Sequence, residues 1–409
     1  MPGRAVCRKG DAMSDAERMS VFKSQPRNGF APSGMMRWGR FRFAVLLAVT
    51  FGGLAVFGAD DAAKKDGPRW IEVKPADVEG IGWRDGMEMP FDRVPKRFAQ
   101  DLPSVWRNGF SSTGMFFEFE SDTANVSVRT ALAQGRYGED NFNNTAFAGT
   151  DLYVFDEARG AWRWASATRH FVKWGPETEY ALLNGLPPGR RRFRLYLPLR
   201  NRLKALWIGV DSGSQTALRP PRRDKPVVYY GTSIIHGAFT IRPGLALTSR
   251  LERMLDKPIV NFGFSGAARL EPKAAEMLAE IDAAIYVCDP YHNLNPDLIR
   301  KNFEPFFDTL CARRPDTPVM LVGAPPLLNV WLFPEKRKVD DEKTRLFEEL
   351  SKRVAARHPN FRYVPGGEFY GSEEVSMDGV HPNDEAFSNM AKTLAPLIRS
   401  ALKPTPRGQ

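Results

Sequence analysis

The chain has 409 residues, 43% apolar and 26% charged, with 58 Lys/Arg against 48 Asp/Glu and a formal net charge of +10. That balance supplies apolar material for two or three folded domains and excludes a chain disordered along its whole length. Residues 1–58 hold nine Lys/Arg and three Asp/Glu, so they carry +6 and the rest only +4; with no basic stripe left, no nucleic-acid partner is expected.

The first segment reads as a leader over residues 1–58. Met36-Arg37-Trp38-Gly39-Arg40-Phe41-Arg42 is basic, and the fifteen residues 43–57 after it carry no charge. Fifteen is short for a membrane span and right for the apolar stretch of a signal peptide. Translation is therefore expected to start at Met36, with cleavage after Val56-Phe57-Gly58. The mature chain is expected to be periplasmic or secreted, from a bacterium, with no stable membrane insertion. An uncleaved anchor is the other reading.

Residues 69–210 predict an all-β sandwich or jelly roll. Apolar and polar residues alternate over 114–120, 125–129, 151–155, 161–164, 192–197 and 205–210, with Gly, Asn, Asp and Pro between them. Such alternation marks antiparallel strands covered on one face. Residues 211–225, with Ser212-Gly213-Ser214 and Pro220-Pro221-Arg222-Arg223, read as a linker.

From 226 to 403 the rhythm changes to strands alternating with helices. Strands are predicted at 227–230, 259–262, 284–288, 319–322 and 361–364. Helices are predicted at 245–255, from Asn295-Pro296 onward, at 340–357 and at 384–402. Asn can cap and Pro suits a first turn, and Leu346, Phe347, Leu350 and Val354 share one helix face. Repeated βα units predict an α/β, flavodoxin-like doubly wound parallel sheet, with its site at the carboxyl ends of the strands. Cys288 and Cys311 are expected to be small buried residues, with pairing in an exported chain left open. His170 and His358 read as surface residues. No CxxC, HExxH or His-rich cluster occurs, so no metal and no cofactor is expected.

Polar residues gather where these strands end. Tyr230-Gly231-Thr232-Ser233-Ile234-Ile235-His236-Gly237 follows the first strand, where Gly231 permits a tight turn and Ser233 reaches a helix N-terminus. Asn261-Phe262-Gly263-Phe264-Ser265-Gly266 covers the end of the second strand and the turn beyond it, and Asp289-Pro290-Tyr291-His292-Asn293 follows the third. Met377-Asp378-Gly379-Val380-His381-Pro382-Asn383 precedes the last helix. Taken singly these segments read as a cap, a helix-start glycine, turns and a surface histidine. Together, they converge on one crevice.

Residues 226–402 resemble the SGNH (GDSL-like) hydrolase superfamily in four blocks, in order. Gly231-Thr232-Ser233-Ile234 is similar to the nucleophile block, with Thr232 where the name-giving motif has Asp. Gly266 matches the second block, Asn293 the third and Asp378-x-x-His381 the fifth. Arg242-Pro243-Gly244 and Gly149-Thr150-Asp151-Leu152-Tyr153 resemble a bacterial subgroup with an N-terminal Gly-x-Asp-Leu-Tyr β domain. The resemblance implies a serine esterase with Ser233 as nucleophile, His381 as base and Asp378 as its orienting partner. It also implies an oxyanion hole from Ser233 N–H, Gly266 N–H and the Asn293 amide, with glycine at 266 because a side chain would obstruct the carbonyl.

His236, at a place where the subgroup often has Gln, is expected to line the substrate pocket, together with His292 and Trp331. The apolar loop 327–334 would wall that pocket or rest on the β domain. The implied substrate is a small acyl ester, acetyl above all, on a small molecule or polysaccharide. A lipase or phospholipid acylhydrolase, and a non-catalytic carbohydrate-binding protein, are the alternatives; oligomeric state is left open.

Overall fold

In the computed structural model, residues 67–169, 173–325, 327–367 and 369–402 are described. The expected leader, with Cys7, lies outside them, as does His170. The first strands are β1 (Arg69–Glu72), β2 (Val78–Glu79), then after helix α1 (Pro103–Asn108) β3 (Phe116–Ser121) and β4 (Val126–Leu132). Helix α2 (Asn144–Ala148) precedes β5 (Asp151–Asp156), β6 (Ala161–Ala167), β7 (Glu177–Leu183), β8 (Arg191–Tyr196), β9 (Leu203–Val210) and β10 (Thr216–Leu218).

These strands form two antiparallel sheets, ordered β1-β9-β4-β7 and β10-β3-β8-β5-β6, with β2 paired to β3. Strand β4 alternates buried and half-buried residues along its length, the signature of a strand with one face on a core. Phe117, Phe119, Val126, Val128, Phe193, Leu195, Leu206 and Ile208 fill that core. Strand β10 lies inside the expected linker and pairs with β3, Thr216 opposite Ser121. Composition alone disfavoured a strand there; the open edge of β3 supplies the hydrogen-bond partners. Arg222, from the same stretch, bridges Glu79 at 2.8 Å and Glu252 at 2.5 Å, so the connection is fastened at both ends.

The second half contains β11 (Val227–Gly231), α3 (Ser233–His236), α4 (Leu247–Leu255), β12 (Ile259–Gly263), α5 (Pro272–Ala279) and β13 (Ile285–Asp289). It continues with α6 (Pro296–Arg313), β14 (Val319–Val322), α7 (Pro334–Arg357), β15 (Phe361–Val364) and α8 (Asp384–Ala401). All five strands are parallel, in the order β12-β11-β13-β14-β15. Every residue of β11, β12 and β13 is buried, because helices cover both faces of the sheet. Val228, Tyr230, Tyr286 and Cys288 face one core with Phe303 and Phe307. Val227, Tyr229 and Ile285 face the other, with Leu251, Leu394 and Ile398. Cys288 and Cys311 are both buried and free.

Strand β11 sits between β12 and β13, so the connection from β11 to β12 runs one way along the sheet and that from β12 to β13 runs back the other, and a crevice opens above the carboxyl end of β11. The β domain is joined to this sheet through buried contacts. Arg93, fully buried, donates to the Asn261 carbonyl at 2.8 Å and the Asn108 carbonyl at 2.7 Å. Ala238 and Ala246, from the loops after β11, belong to the β-domain core.

Candidate active site

Ser233 is the first residue of α3, directly after Thr232, whose hydroxyl caps the helix by accepting from Ile234 N–H at 3.2 Å. The expected tight turn at Gly231 has a different cause from backbone hand. A Cβ there would drive into the Ile235 side chain and lie 2.9 Å from the Asp289 carbonyl. Close packing of β11 against α3 and β13 therefore requires glycine. Gly231→Ala is expected to cost about 3 kcal/mol of stability, read as a lowered urea midpoint.

Ser233 Oγ lies 2.6 Å from His381 Nε2, and His381 Nδ1 lies 2.6 Å from Asp378 Oδ2. The other Asp378 oxygen accepts from His381 N–H at 2.8 Å and Val380 N–H at 3.0 Å. Burial works against the Asp378 charge, but these N–H groups and the imidazole outweigh it and hold the carboxyl below its usual range. The ionised carboxylate fixes the tautomer with hydrogen on Nδ1, leaving Nε2 to accept from the serine. Gly379, between them, has φ +83°, the left-handed turn that lets three residues deliver both groups. The ring of Phe239 lies 5.4 Å from that of His381 and flanks it.

Two further groups of the expected set meet at the same sheet edge. Asn293, on a short 3₁₀ turn after β13, donates through Nδ2 to the Phe264 carbonyl at 3.2 Å, which leaves its second amide hydrogen to spare. Gly266, two residues beyond Phe264, has φ +67° and open space where a Cβ would stand. Its backbone hand favours glycine, and the space before it is free for a substrate.

The remaining expected pocket residues are placed differently from one another. His236 does not line a pocket. It is fully buried, with Nε2 3.0 Å from the Leu199 carbonyl and 3.2 Å from Ser111 Oγ, and Nδ1 3.2 Å from Ser265 Oγ. Burial, then the charges of Arg93 and Arg200, depress its pKa well below the ordinary value. It is a neutral ring holding Ser265 beside Gly266, and its contact with Ser111 lies within the protein interior, apart from the Ser233 chain. His292 has its Nε2 buried without a hydrogen-bond partner among the described residues. Burial first, then the charges of Lys343 and His381, pull its pKa down to about 3. Trp331 is 67% exposed. Its loop is tied to the Asp378 turn by Leu328 N–H donating to the Gly379 carbonyl at 3.0 Å, so it forms a solvent-facing rim.

Two features escaped the sequence pattern. Asp289, at the end of β13 and in register with Gly231, is buried, and that burial raises its pKa to about 7. Asp151 and Tyr153 of the Gly-x-Asp-Leu-Tyr segment clasp the loop after α3. Asp151 Oδ2 accepts from Arg242 at 2.7 Å and from Gly244 N–H at 2.8 Å, and Tyr153 Oη lies 2.9 Å from Arg242. The two motifs of the subgroup thus meet as one ion pair across the domains. Among the described residues, no group of His, Cys, Asp and Glu is arranged to hold a metal ion.

Residues 224–399 match the family model for GDSL-like lipase/acylhydrolase, and residues 68–216 that for the N-terminus of SGNH hydrolase-type esterases. No curated protein sequence matches the chain. Among solved structures, a GDSL-like lipase from Bacteroides ovatus is 28% identical with a TM-score of 0.75, covering 82% of this chain and 98% of its own. A salicylyl-acyltransferase from a tetracycline biosynthetic pathway is 17% identical with a TM-score of 0.64, covering 82% and 99%. A family two carbohydrate esterase from Cellvibrio japonicus is 10% identical with a TM-score of 0.52, covering 82% and 98%; at those identities the last two share the fold. The chain thus carries a GDSL-like lipase/acylhydrolase domain over residues 224–399, preceded by the N-terminal domain of SGNH hydrolase-type esterases over residues 68–216, and is a carboxylic ester hydrolase.

Proposed function

We propose that the protein is an exported serine esterase that removes small acyl groups, acetyl above all, from carbohydrate. The observation that carries the reading is the unbroken hydrogen-bonded chain from Ser233 through His381 to Asp378. His381 Nε2 takes the Ser233 proton as Oγ attacks the ester carbonyl, and Asp378 stabilises the imidazolium. Ser233 N–H, Gly266 N–H and the Asn293 amide receive the oxyanion. The tetrahedral intermediate collapses as His381 returns the proton to the leaving alcohol. Water, deprotonated by the same imidazole, then cleaves the acyl-enzyme to acid and free Ser233.

Export is supported by the basic stretch Met36–Arg42 and the uncharged residues 43–57. Acetyl and carbohydrate are supported by the subgroup resemblance. Acetate release from acetylated xylan and glucomannan, with Ser233→Ala as control, tests the substrate. N-terminal sequencing of the exported protein tests the cleavage site.

One observation favours a second reading. Trp331 at 67%, Leu332 at 55%, Phe333 at 43% and Met377 at 72% are exposed, and they stand on the loop and turn next to Asp378. An apolar rim of this kind suits longer acyl chains or a lipid surface. p-Nitrophenyl esters from acetate to octanoate separate the two. The acetylesterase reading expects kcat/KM to fall at least about tenfold by the hexanoate, since each added methylene must be excluded by the pocket. A rise with chain length would instead support the lipase.

A further inference from the structure

We infer that the β domain supplies a glycan subsite, centred on Trp164, that holds the sugar units flanking the esterified one. The inference rests on the esterase reading and names where its substrate would extend. A cleft of about 990 Å³ lies between β6, the segment around Asn143 and the loop after α3, and Asn143, Asn144, Trp164, Ser166, Asn184 and Ile241 line it. Trp164 is 54% exposed and Ile241 55%. Exposed large apolar side chains grouped with amide and hydroxyl groups in a concave surface mark a binding site.

The ring of Trp164 is set in place rather than free. Its Nε1–H donates to Asp151 Oδ1 at 3.0 Å, and the Arg242 guanidinium stands 5.0 Å from the ring centroid. A pre-set indole loses little conformational freedom on binding. It offers an apolar face to the C–H side of a pyranose, while the neighbouring amides and the Ser166 hydroxyl can pair with sugar hydroxyls.

The cleft wall and the ester-cleaving site share the loop after α3. Ile241 is two residues from Phe239, whose ring flanks His381 at 5.4 Å. Two residues span at most about 7 Å of chain, and the reach of the Phe239 side chain and the 5.4 Å ring separation add to it, so the cleft wall begins within about 16 Å of the imidazole, at most about three sugar units. Thr240 Oγ1 donates to Asp384 Oδ1 at 2.6 Å and Arg242 is held by Asp151. The loop is therefore pinned to both domains, and the spacing between cleft and site is fixed. The occupant is an O-acylated oligosaccharide.

The test compares acetylated xylo-oligosaccharides of one to six units with p-nitrophenyl acetate, in the wild type, Trp164→Ala and Trp164→Phe. The wild type is expected to gain at least about tenfold in kcat/KM from one unit to three, through KM. Trp164→Ala should flatten that dependence, and Trp164→Phe, which keeps a ring without the Asp151 bond, should retain most of it. Calorimetry of unacetylated xylohexaose on the Ser233→Ala protein should show binding that Trp164→Ala abolishes. A wild type without length dependence would overturn the subsite. So would a Trp164→Ala loss as large on p-nitrophenyl acetate as on the oligosaccharides, which would assign Trp164 to supporting Asp151 alone. Absence of Ser233-dependent p-nitrophenyl acetate cleavage would instead defeat the esterase reading, while the calorimetry would still report on the cleft.

Discussion

Replacing Ser233 with Ala is expected to lower kcat on p-nitrophenyl acetate by about 10⁶-fold, with the melting temperature nearly unchanged. Removing a nucleophile from a triad abolishes the covalent route and leaves only what the oxyanion donors supply, about 10³–10⁴-fold over water. His381→Ala should cost as much, and the double variant no more, because the two groups act in one step. Asp378→Asn should cost about 10⁴-fold: an amide that donates to Nδ1 inverts the tautomer, so that Nε2 no longer accepts from Ser233. Ser111, which like Ser265 touches His236, serves as the control. Its hydroxyl is buried against His236 and Arg93, so Ser111→Ala should change stability and leave turnover within a few-fold. Steady-state kinetics on all five proteins decide the matter. Ser233→Ala turnover within tenfold of wild type would remove the proposed nucleophile.

Asp289→Asn is expected to stabilise the protein at pH 8 while leaving it unchanged near pH 4. Burial raises the Asp289 carboxyl from 3.8 to about 7, because a charge at the end of a fully buried strand has lost its water. The sign follows from proton binding. Between about pH 4 and 7 the folded protein holds this proton more tightly than the unfolded chain does, so stability falls as pH rises through that window and levels off above it. Each tenfold gain in proton affinity is worth about 1.36 kcal/mol, so the loss approaches about 4 kcal/mol, an upper bound once relaxation of the site is allowed. Asparagine has the same shape and does not ionise, so it removes this pH dependence. Urea midpoints of both proteins at pH 4.5 and pH 8 provide the check. A difference of equal size at both pH values would assign the effect to lost hydrogen bonding.

Much of the frame was legible in the chain itself. The period-2 alternation read at 125–129 falls in strand β4, which buries one face, and the strands predicted at 227–230, 259–262 and 284–288 are the fully buried parallel strands β11, β12 and β13. Asn295-Pro296 opens α6 as expected, the Asn side chain accepting from Leu298 N–H. Helix α7 begins at Pro334, six residues before the predicted start at 340. Its first turns are polar and exposed, so periodicity had nothing to report there. Helix α5 and strand β7 lie outside the predicted elements: α5 buries Ala274, Ala275, Met277 and Leu278 within only eight residues and β7 buries Thr178 and Leu182 within seven, stretches too short for periodicity to single out.

The sequence by itself determined the succession of antiparallel strands and then a parallel α/β sheet, the strand ends at which polar residues gather, and the three-residue spacing that sets Asp378 and His381 on one turn. These are local properties, written in periodicity and turn chemistry over stretches of a few residues. The tertiary structure alone decided that His236 is interior, that residues 216–218 complete a sheet, and that Asp151 grips Arg242 across 91 positions of chain. Burial and long-range pairing depend on which distant surfaces meet, and no short window of sequence carries that information.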